Sequence, residues 1–267
     1  MRKVLLVLTL TGLILMPTSY GKAVKEGSLV LYFSFDEVKG DAVKDLSGNE
    51  NHGKLIGESE LVKGKYGFAL QFSGGQNYIE VPDSASLNPE KEVTCMAWIY
   101  FDQWSESKGI VSKYVGAGNQ RTYNLRFSHE RNATMSFSSE CSLNGSYEPN
   151  VTTTTLTAPP GTLTEGEWQH VAMTFKAKDF LRLYLNGEVK AEANADVTDH
   201  LFDNNTPFYV GTDFDPGAAL EGFIGIIDEV AVFSSALSDE EIKQKMESVF
   251  LVEPKGKLAT LWGRLKI

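Results

Sequence analysis

From residue 28 to 233 the chain consists of short runs rich in Val, Ile, Phe, Tyr and Thr, broken by Gly, Asn, Asp and Pro, without helical periodicity. Apolar and polar positions that alternate between turn formers predict strands with one buried face. Strands are expected at 29–35, 67–72, 77–81, 92–101, 109–114, 121–128, 133–138, 151–156, 168–176, 179–186, 188–193, 207–211 and 222–233. The strongest local signal is "LYLNGEVK", residues 183–190, whose Asn-Gly pair suits the positive φ of a type I′ hairpin turn. One helix is predicted, from 239 to about 248 in "LSDEEIKQKM". Ser238 is its N-cap, Glu241 completes a capping box, and Leu237 with Ile242 forms a hydrophobic staple. The expected fold is all-β: a two-sheet antiparallel jelly-roll β-sandwich with one short C-terminal helix, in which first and last strands are commonly neighbours.

Two segments fall outside this pattern. Residues 1–23 carry Arg2 and Lys3, the apolar run Val4–Met16, and then Pro17 and "SYGKA", the plan of a secretory signal peptide. Residues 251–267 form a basic tail, leaving 24–250 as a single domain, and nothing after the leader is long and apolar enough to span a membrane. The expected location is therefore secreted, periplasmic or cell-surface. A formal charge of −10, from 35 acids against 25 Lys and Arg, argues against a nucleic-acid partner, since phosphate contacts need a basic surface. Cys95 and Cys141 are the only cysteines; export would allow a bridge, and two separate buried thiols are the alternative.

"FIGIIDEVAVF", residues 223–233, places adjacent acids inside an apolar run, and "FSFDEV", residues 33–38, repeats the pair near the other end of the chain. Strict alternation puts Asp228 on the side of Ile224, Ile226, Val230 and Val232, and Glu229 with Ile227 and Phe233. A buried carboxylate costs several kcal/mol or more without a cation or hydrogen-bond donors. If the first and last strands pair, Asp36 and Asp228 can approach one ion, and hard oxygen ligands of this kind favour calcium. The loop "DLSGNENHG" adds oxygens at Asp45, Ser47, Asn49, Glu50 and Asn51, although Glu50 and Ile56 stand where an EF-hand needs Gly and Glu. The expectation is one structural calcium ion held by Asp36 and Asp228, with Asp45 or Asn51 and backbone carbonyls. The alternative is that both aspartates accept backbone or arginine hydrogen bonds.

"VLYFSFDE", "DLSGNENHGKL", "GKYGFALQFSGGQNYIEVPDSASLN", "EVTCMAWIYFD", "GEWQHVAMTFKAKDFLRLYLNGEVK" and "FYVGTDFDPGAALEGFIGIIDEVAVFSSALSDEEI" follow one another along 28–247. In that order they resemble LamG-like domains of the concanavalin A-like lectin/glucanase superfamily. The least generic motifs are Trp168-Gln-His170-Val-Ala and Gly225-x-x-Asp228-Glu229-Val-x-Val-Phe leading into the capped helix. The resemblance implies a jelly-roll with one concave face, usually a carbohydrate-binding or adhesive module and often calcium-bound. The loop 139–166 is longer and richer in Thr than the family's usual connection, so ligand specificity does not transfer.

Catalytic signals are sparse. Trp168 and His170 share one sheet face, with Val171 and Met173 on the other, and no nucleophile motif accompanies the histidine. His52, His129 and His200 lack zinc-ligand spacing. The superfamily's glucanases carry acids at alternate positions of one strand. Here "FDEV", "IIDEV" and "SDEEI" hold adjacent acids, and "EGEW" at 165–168 lacks the third. Sugar sites need aromatics and planar donors, which "GIVSKYVGAGNQRTYNLRFS" offers at Lys113, Tyr114, Arg121, Tyr123, Asn124 and Arg126. With Tyr123, Leu125 and Phe127 facing the core, Asn124 and Arg126 face outward, and Lys113, Asn124 and Arg126 are the expected ligand-binding residues. Asn-x-Ser/Thr sequons start at Asn132, Asn144, Asn150 and Asn204. The function expected is a non-catalytic binding module for a glycan or an extracellular protein. The alternatives are a polysaccharide hydrolase or lyase, or a purely structural surface module.

Overall fold

The computed structural model describes residues 28–115, 120–128, 132, 134–145, 148–213 and 222–247. The expected signal peptide, the basic tail and His129 lie outside the described residues. The elements in chain order are β1 Leu29–Phe33, β2 Ala42–Val43, β3 Gly53–Ile56, β4 Glu60–Lys63, β5 Phe68–Ser73, β6 Tyr78–Val81, a 3₁₀ turn Ala85–Leu87, β7 Glu92–Tyr100, β8 Gly109–Val115, β9 Gln120–Phe127, β10 Phe137–Ser142, β11 Thr153–Thr157, β12 Gln169–Lys176, β13 Phe180–Leu185, β14 Glu188–Asn194, β15 Phe208–Val210, β16 Ile224–Phe233 and α1 Asp239–Glu247. They form two eight-stranded sheets. The first runs β14-β13-β12-β7-β16-β5-β4 with β1 also beside β16, and the second runs β11-β10-β9-β8-β15-β6-β3-β2. All the strand pairs within these sheets are antiparallel.

Alternation decides what fills the space between the sheets. Cys95, Ala97 and Ile99 of β7, Tyr123, Leu125 and Phe127 of β9, and Val171, Met173 and Phe175 of β12 all enter one continuous core. A smaller cluster covers the outer side of the first sheet, where Tyr32, Met96, Ala172, Tyr184, Ala231 and Phe233 meet Leu237 and Ile242 beside α1. The helix start is held as the sequence predicts. The Glu241 amide donates to the Ser238 hydroxyl at 3.3 Å, the Ser238 amide donates to the Glu241 carboxylate at 2.7 Å, and both staple residues are buried. Asn186 and Gly187, with φ of 52° and 77°, make the predicted β13–β14 turn.

The first and last strands do pair, with Phe33 opposite Val230 and Leu31 opposite Val232. Strict alternation along β16 does not hold. Glu229 has φ 51°, and the register with β7 slips between Asp228 and Ala231, the mark of a β-bulge. Ile227 faces the core before the bulge, and Val230 and Val232 face it after. Asp228 is therefore not a neighbour of Val230 and Val232 on the core side. It points outward, as Ile226 does before the bulge and Ala231 after it.

Other departures are local. The strand expected at 133–138 lies at 137–142, because Met135 takes a positive φ of 55° in a turn and the serines of "FSSECS" mask the pattern. Strands β2, β3 and β4 are short and sit in text that reads as turns. Cys95 and Cys141 are free thiols, both fully buried, and burial pushes both well above the usual thiol range. Among the described residues no helix is long and apolar enough to cross a membrane. Truncating Ile242 to Ala should cost about 2–4 kcal/mol by leaving a cavity under the helix, and Ser238→Ala about 1 kcal/mol by uncapping it. Chemical denaturation of the two variants checks this order.

Candidate functional site

The two Asp-Glu pairs meet over the turn 64–68. The Tyr66 amide donates to Asp228 Oδ2 at 3.0 Å, the Phe68 amide to Asp36 Oδ1 at 2.9 Å, and the Glu229 amide to Asp228 Oδ1 at 2.8 Å. Gly64 and Gly67 allow the approach, since a Cβ at either would collide with the Asp228 or the Asp36 carboxylate. Glu229 accepts a hydrogen bond from the Tyr32 hydroxyl. Asp45 and Asn51 serve a different junction. Asp45 accepts from the Tyr32, Ser47 and Asn51 amides and from the Ser47 hydroxyl. Asn51 donates to the Val30 carbonyl and the Ser86 hydroxyl and accepts from Ser84. Of the four side chains expected around calcium, Asp36 and Asp228 come together, while Asp45 and Asn51 are engaged by the loop and the 3₁₀ turn. Among the described residues no group of three or more His, Cys, Asp or Glu is arranged to hold a metal ion.

The outward positions of the second sheet carry a polar network. Asn124 Nδ2 donates to Asp213 Oδ1 at 2.9 Å, and Asn124 Oδ1 accepts the Glu140 amide at 2.8 Å. Arg126 is ion-paired with Asp213. Arg121 lies 3.6 Å from Glu140 and stacks over the Tyr114 ring at 4.7 Å. The Asp213 side chain is fully buried, those of Arg126 and Glu140 are each 8% exposed, and Arg121 keeps 22%. Ser138, opposite Arg126, has a buried hydroxyl without a hydrogen-bond partner among the described residues. Gly109 lets the Thr212–Asp213 backbone approach β8, where any Cβ would strike it. Burial raises the Tyr114 hydroxyl well above the usual phenol range, with Arg121 opposing.

Lys113 does not join this face. The register slip between Gly109 and Val111 turns both Ile110 and Val111 to the core, and regular alternation from Val111 then puts Lys113 on the core side, fully buried, where Nζ donates to Asp83 Oδ1 at 2.6 Å and to the Thr206 carbonyl. Burial lowers its pKa, and Asp83 opposes that. It ties two loops together. Glu140, Ser138 and Asp213 are the network members that sequence reasoning missed. The signal for them was a charge argument: Arg126 and its neighbour Arg121, turned away from the core on one strand, require acids on the adjoining segments. Both acids are paired to guanidinium groups.

A two-sheet sandwich with a polar outer face is the architecture of lectin-like binding domains and of polysaccharide-cleaving enzymes alike. Residues 73–243 match the laminin G-type family of the concanavalin A-like lectin/glucanases superfamily, and the chain belongs to that family. A stretch of 213 residues is 24% identical to the human adhesion G-protein coupled receptor D1, covering 79% of this chain and 22% of the receptor, so the chain spans under a quarter of that relative. Among solved structures it is similar to the binding domain of Paraclostridial Mosquitocidal Protein 1, with TM-score 0.64 and 16% identity over 84% of this chain and 52% of that one. It is also similar to domain 4 of AbnA, an extracellular arabinanase from Geobacillus stearothermophilus solved with arabinotriose. There the TM-score is 0.54 and the identity 18%, over 81% of this chain and 97% of that one. These likenesses establish the jelly-roll fold.

Two buried groups titrate abnormally. Burial pushes the Asp228 carboxyl up to about 7, and the negative charges of Glu229 and Asp36 add to it against the two backbone donors. Burial alone pulls His170, packed edge-on against Trp98 at 5.5 Å, down to about 3. His170 is thus a neutral ring within the outer face of the first sheet. A raised acid binds its proton in the folded state first, so Asp228 adds stability as pH falls from about 7 toward 4. His170 acts oppositely below about 6.5, because only the unfolded chain takes up its proton. The difference between wild type and Asp228→Asn isolates the acid. Wild type should lose ground to the variant by up to about 1.4 kcal/mol per pH unit between pH 4 and 7, then level off. Denaturant titrations at several pH values check it, and a pH-independent difference would refute it.

Proposed function

We propose that this chain is an extracellular, non-catalytic binding module that engages a glycan through the outer face of the second sheet. The observation that carries the reading is the Arg121–Asn124–Arg126 row, held in place by Glu140 and Asp213 beside the Ser138 hydroxyl, which has no hydrogen-bond partner among the described residues. Planar donors locked by carboxylates recognise the acidic groups of a sugar without first losing side-chain entropy. The likeness to a toxin binding domain and to an arabinanase domain solved with arabinotriose supports recognition over turnover. Export follows from the predicted leader, and an extracellular protein is the other partner class considered.

The cation expectation narrows to Asp36 and Asp228. Asp228 is a buried acid pressed by like charges, and a divalent ion such as calcium beside it would offset that cost. Calcium should then raise the melting temperature and a chelator lower it, through the usual linkage of ligand to stability. An unchanged melting point in both conditions would remove calcium from the reading.

A glycan array on the intact protein tests the function. Binding without turnover is expected, and Arg121→Ala, the most exposed member, should weaken the capture of acidic glycans by about ten- to a hundred-fold through loss of a charge-assisted hydrogen bond. Cleavage of a polysaccharide by wild type would favour the enzyme instead.

A further inference from the structure

Among the described residues, the outer face of the first sheet is only partly covered. The cluster beside α1 closes one end, over Met96, Ala172, Tyr184, Ala231 and Phe233, and the helix reaches Trp98, whose Nε1 donates to the Met246 carbonyl at 3.1 Å. Beyond Trp98, Tyr100, Trp168 and Ile226 are only half-buried, and Ile224 keeps 49% of its surface. These side chains are in register. Tyr100 lies opposite Ile226, Ile226 opposite Gln71, and Gln71 opposite Glu60, across β7, β16, β5 and β4. Trp168, at the entry to β12, rests on Tyr100 with ring centroids 5.8 Å apart and planes 52° apart. From Trp168 to Glu60 the row crosses four strand spacings, about 19 Å.

The chemistry changes along the row. One end presents two tilted aromatic rings, and the Tyr100 hydroxyl is anchored to Asp102 at 3.0 Å. The middle is aliphatic. The far end opens into a cleft of about 500 Å³ lined by Glu58, Ser59, Glu60, Gln71 and Ser73. Ring faces suit the apolar C–H face of a sugar, while amide, hydroxyl and carboxylate groups take its hydroxyls. Asp102, Glu58 and Glu60 outnumber Lys65, whose ammonium lies 4.2 Å from the centre of the Trp98 ring, so the row as a whole is acidic and disfavours uronic-acid or sulfated chains.

We propose that this row is a second carbohydrate site, specific for a neutral oligosaccharide laid across the strands from Trp168 to the Gln71–Glu60 cleft. It lies on the opposite side of the sandwich from the arginine network and does not depend on it. Calorimetric titration of the intact protein with neutral gluco- and xylo-oligosaccharides and with an oligouronate tests it. Wild type should bind a neutral oligomer. Trp168→Ala should weaken that binding about ten-fold or more, Gln71→Ala less, and Arg121→Ala should leave it unchanged. Gln71 is exposed, so its variant keeps the test valid if Trp168→Ala folds poorly. Absence of neutral-oligomer binding, equal affinity in both row variants and wild type, loss confined to Arg121→Ala, or a preference for the oligouronate at this face would each overturn the proposal. Because Arg121→Ala reads the other face alone, failure of one site is distinguishable from failure of the other.

Discussion

The structure depends on how β16 is shared. Its first half is flanked by β5 and its second half by β1, and the exchange takes place at the bulge where Glu229 adopts a left-handed backbone. One extra residue there turns Ile227, Val230 and Val232 all toward the core and sends Asp228 outward. Without the slip, either the aliphatic residues or the acid would occupy the wrong side of the sheet. The same point fixes the turn 64–68, because the two aspartates satisfy its amides from opposite ends of the chain. The adjacent acids of an otherwise apolar strand thus act as hydrogen-bond acceptors that close the fold.

Much of this was legible in the sequence, and the reason is periodicity. Alternation in "RTYNLRF" separated Tyr123, Leu125 and Phe127 from Asn124 and Arg126, and the hairpin and capping box have sequence signatures that leave little choice of conformation. What escaped was whatever breaks a period. The bulge at Glu229 has no composition of its own, since Asp-Glu reads equally well in regular alternation. A similar slip between Gly109 and Val111 carried Lys113 to the core side. Asp45 and Asn51 looked like metal ligands because the oxygen-rich residues that bind cations also build turns, and here their polar atoms serve backbone amides and neighbouring hydroxyls. Asp213 was hidden for another reason. It belongs to the network only through the crossing of β15 beside β8, a neighbour relation that no local pattern encodes.

The two outer surfaces divide the physical chemistry between them. On one, guanidinium and carboxylate groups neutralise each other in a nearly sealed layer, so orientation is set before any ligand arrives. On the other, half-exposed rings and an aliphatic stripe lie in an acidic setting. Between them the core carries the fully buried Lys113, whose charge is met by Asp83 and by loop carbonyls. The sandwich can therefore present chemically unlike faces without compromising its packing.

That separation has a consequence for how such a chain can change over generations. Along β9, Asn124 and Arg126 each sit between two residues that fill the interior, so a replacement there leaves the apolar packing of Tyr123, Leu125 and Phe127 in place. New specificities can be tried one letter at a time, at the cost only of the polar bonds the replaced side chain made.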